Sequence, residues 1–148
     1  MKVLVMYDSV LGNTERLAKA VADEIGAKGH EVVCRHQSVS GEEDFIGVRL
    51  WVIGTPTRWG RPRFRFTTLL KNAVKEAGKD HDFVVFDTKY EKFHVGAADR
   101  TYNLLVKKGL RPLMPAQHFF MDGEELRTDQ EEKARELGRT IASLITDQ

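Results

Sequence analysis

Small and hydroxyl-bearing residues cluster where an apolar run passes into a helical pattern. The stretch DSVLGNTERLA follows the run Val3–Tyr7 and contains Ser9, Gly12, Asn13 and Thr14. Gly12 permits close approach of the backbone, and the two hydroxyls add donors beside the first-turn amides of the helix. That combination can bind a phosphate without a lysine. Capping of the helix by Asn13 or Thr14 explains the same residues, so the loop alone leaves both interpretations open.

Two further loops carry aromatic residues at equivalent places in the chain. GTPTRWGRP follows the third apolar run and sets Trp59 beside Gly60, whose backbone is free to approach a ligand. DTKYEKFHVGA follows the fourth run and carries Tyr90, Phe93 and His94. Loops at the carboxyl ends of neighbouring parallel strands meet at one edge of the sheet. Together, the three loops predict a pocket for a phosphorylated planar molecule.

Several other chemistries are excluded by what these loops lack. There is no G-x-x-x-x-G-K-[ST] motif for a P-loop and no G-x-G-x-x-G after the first run. Cys34 lies outside the first loop, which excludes a cysteine phosphatase, and Gly54 stands where a receiver domain needs an aspartate. The five histidines lack metal-ligand spacing, and no Ser/His/Asp set or carboxylate pair is evident. We therefore expect neither a metal site nor catalytic side chains.

Strand-like apolar runs alternate with segments that have apolar residues at helical spacing. The predicted strands are Val3–Tyr7, Glu31–Arg35, Leu50–Ile53, Phe83–Phe86 and His118–Met121. The predicted helices are Thr14–Ala27, Pro62–Ala77, Ala97–Lys108 and Asp129–Ile145. This alternation predicts an α/β fold, a doubly wound parallel sheet with helices on both faces. With no repeat or linker, we expect residues 1–148 to form a single domain.

Charge, apolar runs and cysteine content indicate which partners and which cell compartment to expect. A net charge of +1 and 30% charged residues give no case for nucleic-acid binding. No window approaches the length of a membrane span, and the first apolar run is too short for a signal peptide. Cys34, the one cysteine, sits in an apolar run and is interpreted as a buried strand residue. We expect a cytoplasmic protein.

These loops resemble those of the flavodoxin family. In that family the loop after the first strand runs approximately [ST]-x-[ST]-G-x-[ST] and wraps the phosphate of FMN; here residues 9–14 read SVLGNT. Trp59 and Gly60 match the aromatic that stacks on the isoalloxazine and the glycine that meets flavin N5. The resemblance covers nearly the whole chain and implies a short-chain, flavodoxin-like fold with a five-stranded parallel sheet of order 2-1-3-4-5.

The cofactor implied by the resemblance is FMN. The implied FMN-binding residues are Ser9, Val10, Leu11, Gly12, Asn13, Thr14, Thr55, Pro56, Thr57, Arg58, Trp59, Gly60, Asp87, Thr88, Lys89, Tyr90, Phe93 and Gly96. Leu11 departs from the family pattern, which has a hydroxyl there, so Ser9, Thr14 and backbone amides must compensate.

Basic residues gather near the second loop, where flavodoxins are typically acidic. We interpret Arg63 and Arg65, which alternate with phenylalanines, as a solvated helix face, and Arg58 and Arg61 as the rim of the flavin site. A basic rim would stabilise negative charge on the reduced flavin. It would also favour a partner that is acidic at its docking face.

Two functions follow from the resemblance. The first is an FMN-binding electron-transfer protein that shuttles electrons between redox partners, either a partner protein or a small-molecule donor or acceptor. The alternative is an FMN-dependent oxidoreductase of the same fold acting on a quinone or porphyrin, since VIGTPTRWG resembles such enzymes equally. The short loops after the fourth and fifth strands disfavour a substrate chamber. A flavodoxin fold that no longer binds flavin is a third possibility.

Overall fold

Strands and helices alternate along residues 1–147, the part of the chain that the computed structural model describes. The strands are β1 (Lys2–Tyr7), β2 (Glu31–His36), β3 (Leu50–Pro56), β4 (Asp82–Lys89), β5 (Arg111–Pro112), β6 (Gln117–Asp122) and β7 (Glu125–Leu126). The helices are α1 (Asn13–Ala27), α2 (Phe64–Ala77), α3 (Ala97–Lys107) and α4 (Gln130–Thr146). Two single-turn 3-10 helices, Gln37–Val39 and Glu42–Phe45, lie between β2 and β3.

The sheet has the order β2-β1-β3-β4-β6-β7, with β5 also pairing to β4. Strands β2, β1, β3 and β4 are parallel to their neighbours, as expected for the first four positions of the predicted order. All eight residues of β4 are buried, since helices cover both faces of this central strand. The α/β, doubly wound class and the helices on both faces are confirmed.

The fifth position of the sheet differs from the prediction of one parallel strand. β5 pairs with the start of β4, the chain leaves the ladder, and β6 rejoins β4 along Phe86–Lys89. Pro112 and Pro115 lie in this interval, and proline cannot donate to a ladder. After a turn at Gly123, β7 pairs antiparallel with the end of β6. The predicted count of five strands, all parallel, is therefore wrong.

Two apolar layers cover the sheet, because successive side chains of a strand point to opposite faces. Val3 and Val5 of β1 pack into the layer beneath α1 and α4. Leu4 and Met6 pack into the layer beneath α2 and α3. Both layers end at the carboxyl edge of the sheet, where the loops begin. Within residues 1–147, no helix combines the length and the apolar character needed to cross a bilayer.

Candidate functional site

A cavity of about 840 Å³ opens at the carboxyl ends of β1, β3 and β4, where the three loops meet. Its volume falls in the range of small-molecule sites. The lining residues are Ser9, Val10, Leu11, Asn13, Thr14, Pro56, Thr57, Arg58, Trp59, Gly60, Thr88, Lys89, Tyr90, Phe93, His94, Val95 and Met121. The loops that the sequence singled out therefore share one cavity.

The first loop is held by its own serine. The Ser9 hydroxyl accepts hydrogen bonds from the backbone N–H of Gly12 at 3.1 Å and of Glu15 at 3.4 Å. Gly12 precedes α1 with φ 91°, a left-handed conformation that suits glycine. The suggestion that Asn13 or Thr14 caps the helix is wrong, because the N-cap residue is Gly12 and no N-cap side chain bonds to the helix.

Asn13 and Thr14 use their side chains to join the first loop to other elements. The Asn13 amide donates to the carbonyl of Glu124 at 2.7 Å, in the β6–β7 turn. The Thr14 hydroxyl is buried and lies 3.4 Å from the hydroxyl of Thr88 on β4. The backbone amides of the first helical turn have no acceptor within the helix. Asn13 and Thr14, the first two residues of α1, line the cavity, so the positive end of the helix lies at its edge.

The second loop is a tight turn that presents Trp59. Arg58 and Arg61 exchange both backbone hydrogen bonds, at 2.8 and 2.9 Å. The two central residues, Trp59 and Gly60, have φ 53° and 74°, the signature of a type I′ turn. A bulky residue in this region costs about 1–2 kcal/mol, and such strain concentrates at functional sites. Trp59 is 97% exposed although it lines the cavity, so the protein leaves its indole face available.

Hydrogen bonds join the second loop to α3. The Arg100 guanidinium donates through Nε to the carbonyl of Gly60 at 2.9 Å. The backbone N–H of Ala97 donates to the Thr57 hydroxyl at 2.9 Å. These bonds hold the turn against the start of α3, so the Trp59 wall is positioned by a helix as well as by its own loop.

The third loop supplies the opposite wall. The Tyr90 hydroxyl donates to the carbonyl of Gly123 at 2.7 Å, and the rings of Tyr90 and Phe93 meet edge to face. The Lys89 ammonium donates to the carbonyl of Phe93 at 2.5 Å. The β6–β7 turn thus accepts hydrogen bonds from both the first and the third loop, and it links the two walls.

Asp87 lies beneath the third loop and outside the cavity lining. It is fully buried, and its carboxylate accepts hydrogen bonds from Nδ1 of His118 and from the backbone N–H of Ala98, both at 2.8 Å. The hydrogen bond to Asp87 raises the pKa of His118, whose Nε2 also lies 3.4 Å from Asp99. Gly96 is glycine here because a side chain would overlap the Asp87 carboxylate.

Four residues that the resemblance implied lie outside the lining: Gly12, Thr55, Asp87 and Gly96. The other fourteen line it. His94, Val95 and Met121 complete it without having been assigned. His94 and Val95 both lie in the predicted third loop. Met121 lies at the end of β6, and only the pairing of β6 beside β4 brings it to the cavity.

An ion pair beside the first loop was missed. Asp8 is fully buried and accepts two hydrogen bonds from Arg63, Nε at 2.7 Å and Nη2 at 2.8 Å. The interpretation of Arg63 as part of a solvated face is therefore wrong, while Arg65 is exposed. Arg63 precedes α2 in an extended conformation, so the helix begins at Phe64 and not at Pro62.

Comparison with known proteins assigns the chain to a family. A family model described as Flavodoxin matches residues 5–137. The chain belongs to the flavodoxin family. Among proteins with curated functions, none matches it.

Solved structures of flavodoxins share the fold. A flavodoxin from the domain Archaea has a TM-score of 0.85 at 16% identity, with 99% of each chain covered. The flavodoxin of Streptococcus pneumonia TIGR4 has a TM-score of 0.82 at 16% identity, covering 97% of this chain and 99% of that one. The flavodiiron core of Synechocystis sp. PCC6803 has a TM-score of 0.82 at 22% identity. The match covers 100% of this chain and 37% of that one. The TM-scores of these structures show that the fold is shared, although the sequence identities are low.

Proposed function

We propose that this protein binds FMN in the cavity and carries electrons between redox partners. The observation that carries the proposal is one cavity that joins the N-terminus of α1 to an exposed tryptophan on a strained turn. FMN supplies the electron-accepting ring when it is bound, and the protein supplies anchoring, stacking and electrostatics. Membership of the flavodoxin family supports this function.

The first loop fits the phosphate of FMN. Gly12 leaves open space where a side chain would stand, because a Cβ at this position would meet no atom within 4 Å. Thr14 and Thr88 place two hydroxyls together beside the helix N-terminus. Leu11 is 62% exposed and adds no polar atom, so backbone amides and these hydroxyls would hold the phosphate.

The second and third loops fit the isoalloxazine ring. Trp59 and Tyr90 stand on different loops of the same cavity, and both have exposed surface for stacking. Arg100 holds the Gly60 carbonyl, so the turn offers an ordered backbone to the ring edge.

The decisive experiment is a titration of the purified protein with FMN, followed by flavin fluorescence and absorption. We expect quenching of the fluorescence and a shifted spectrum, with much weaker binding of riboflavin because it lacks the phosphate. A protein that quenches neither flavin would refute the proposal. Equal affinity for FMN and riboflavin would refute the phosphate role of the first loop.

The alternative of an FMN-dependent oxidoreductase acting on a quinone or porphyrin is favoured by one observation. The indole of Trp59 is 97% exposed, so a planar substrate could reach the ring side of the cavity. Steady-state oxidation of NAD(P)H with quinones separates the two functions. A carrier gives little turnover without a partner protein, whereas an enzyme turns over the quinone directly.

The partner is proposed to be acidic at its docking face. Arg58, Arg61 and Arg65 are exposed on the second loop and the first turn of α2, beside the mouth of the cavity. Phe64 stands among them and is 85% exposed. Arginine and aromatic side chains are typical of interface hot spots, and the positive charge would orient an acidic partner.

A further inference from the structure

A largely buried lysine stands in the wall of the cavity. Lys89 is the last residue of β4, lines the cavity and is only 8% exposed. Its Nζ donates to the carbonyl of Phe93, whereas an ammonium has three N–H donors. In residues 1–147, no carboxylate lies within ion-pair distance of it.

The nearby acids are occupied by other groups. Both oxygens of Asp87 are used by His118 and by the backbone N–H of Ala98. Asp99 accepts from the backbone N–H of Gly96 and lies near His118. Lys89 therefore forms no direct ion pair within residues 1–147, and its ammonium keeps N–H donors that can reach a ligand. A largely buried charge is destabilising unless something negative comes close to it.

Lys89 is also separate from the N-terminus of α1. Consecutive residues of a strand face opposite sides, and Thr88 meets Thr14 on the α1 side. Lys89 points to the α3 side, where it contacts the third loop. The cavity thus has two positively charged regions, one at the helix N-terminus and one at the third loop.

We propose that Lys89 recognises negative charge on the ring of the bound ligand. This inference rests on the proposed binding of FMN. Reduction of FMN by an external donor adds electrons to the ring, and the reduced ring can carry a negative charge. A nearby ammonium in a water-poor wall stabilises that charge more than it stabilises the neutral oxidised ring. Lys89 therefore makes the protein bind reduced FMN more tightly than it would otherwise.

The test compares Lys89→Met with Lys92→Met, an exposed lysine of the same loop. The dissociation constant for oxidised FMN comes from fluorescence quenching, and the midpoint potential of the bound flavin gives the preference for the reduced form. In Lys89→Met we expect that preference to fall at least about tenfold, with a more negative potential. Lys92→Met should change it less than about twofold, and Lys89→Arg should retain most of it.

A second measurement is made without flavin. If the Lys89 charge destabilises the fold when no ligand is bound, Lys89→Met should make the flavin-free protein more resistant to urea. Lys92→Met should not. Lower resistance of Lys89→Met, with an unchanged potential, would overturn the inference and make Lys89 a structural residue. Wild-type protein that binds no FMN would overturn the proposed function itself. Wild-type binding with equal potentials in all variants would overturn the role of Lys89 alone.

Discussion

Arg63 and Arg65 stand two positions apart on the chain and have opposite environments. Arg63 is held by two hydrogen bonds to the buried carboxylate of Asp8, and Arg65 is exposed. The hydrogen bonding to Asp8 also raises the pKa of the Arg63 guanidinium. Of these two arginines, Arg63 neutralises a buried charge, whereas Arg65 faces solvent.

Arg63→Met should destabilise the protein by roughly 3 kcal/mol, because it leaves a buried carboxylate without its partner. We choose the lower end of the range for buried pairs because Arg63 is partly exposed. Urea unfolding measures the effect, and Arg65→Met is the matched control, with an expected change within about 0.5 kcal/mol. Equal effects of the two substitutions would contradict this assignment.

His118 should make stability depend on pH. Its pKa is raised first by its hydrogen bond to Asp87, so the folded state holds the proton more tightly than the unfolded state does. The stabilisation is then fully present below the unfolded pKa of about 6.5, and it is lost as pH rises through the folded pKa. Unfolding free energy measured from pH 5 to 9 should fall over that window. His118→Gln should flatten the profile, because it removes the group whose pKa is raised by Asp87.

At the scale of elements, α1 and α4 pack closely because one glycine lets their backbones approach. A Cβ on Gly138 of α4 would stand 2.7 Å from the carbonyl oxygen of Val21 and 2.8 Å from Cβ of Glu24. A Cβ on Gly26 of α1, by contrast, would meet no atom within 4 Å. The two helical glycines therefore have different reasons to be glycine.

Gly138→Ala should cost about 1–3 kcal/mol, because α4 must move away from α1 or strain its backbone. Gly26→Ala should instead stabilise the protein by about 0.5–1 kcal/mol, since alanine restricts the unfolded chain and favours the helix. Thermal and urea unfolding of the two variants measure these opposite signs. Stabilisation by both would show that the helices repack freely.

At the scale of the whole molecule, the small net charge of +1 hides an uneven distribution. Exposed arginines stand on the second-loop side of the cavity, while acidic residues gather around the β6–β7 turn, which is bonded to the first and third loops: Asp122, Glu124 and Glu125. If electrons leave through the cavity mouth, this arrangement sets which partners can approach it. Long-range steering of this kind weakens as ionic strength rises.

Replacing both Arg58 and Arg61 with glutamine should lower the midpoint potential of bound FMN and weaken salt-dependent binding of an acidic redox protein. The matched control is Lys107→Gln with Lys108→Gln, which removes the same charge at the far end of α3. Spectroelectrochemical titration and binding at several salt concentrations measure both effects. An unchanged potential in the arginine variant would defeat the idea of a basic rim.

Local patterns in the sequence indicated the first four strands, the four helices and the three loops that line the cavity. Alternating apolar runs and helical periodicity predicted the first four strands and the four helices, since those patterns follow from burial of each segment by itself, whereas the strand order was implied by the family resemblance. Small residues at the start of α1 and the Trp59–Gly60 pair indicated the first two loops, because turns and helix ends are encoded by neighbours in the chain. Cys34 is half-buried, and burial raises its pKa to about 11, in keeping with an unreactive thiol.

Tertiary structure alone decided which distant side chains meet. The split fifth position depends on pairing with β4, and the environments of Asp8 and Asp87 depend on Arg63 and His118, which lie 55 and 31 positions away. The family resemblance implied that Lys89 contacts the cofactor, but only the packing around the end of β4 shows that the residue is largely buried and has no direct ion pair within residues 1–147. Composition and spacing describe what each segment can do. Long-range contacts determine which of its charges are neutralised within the protein and which are left to meet a ligand.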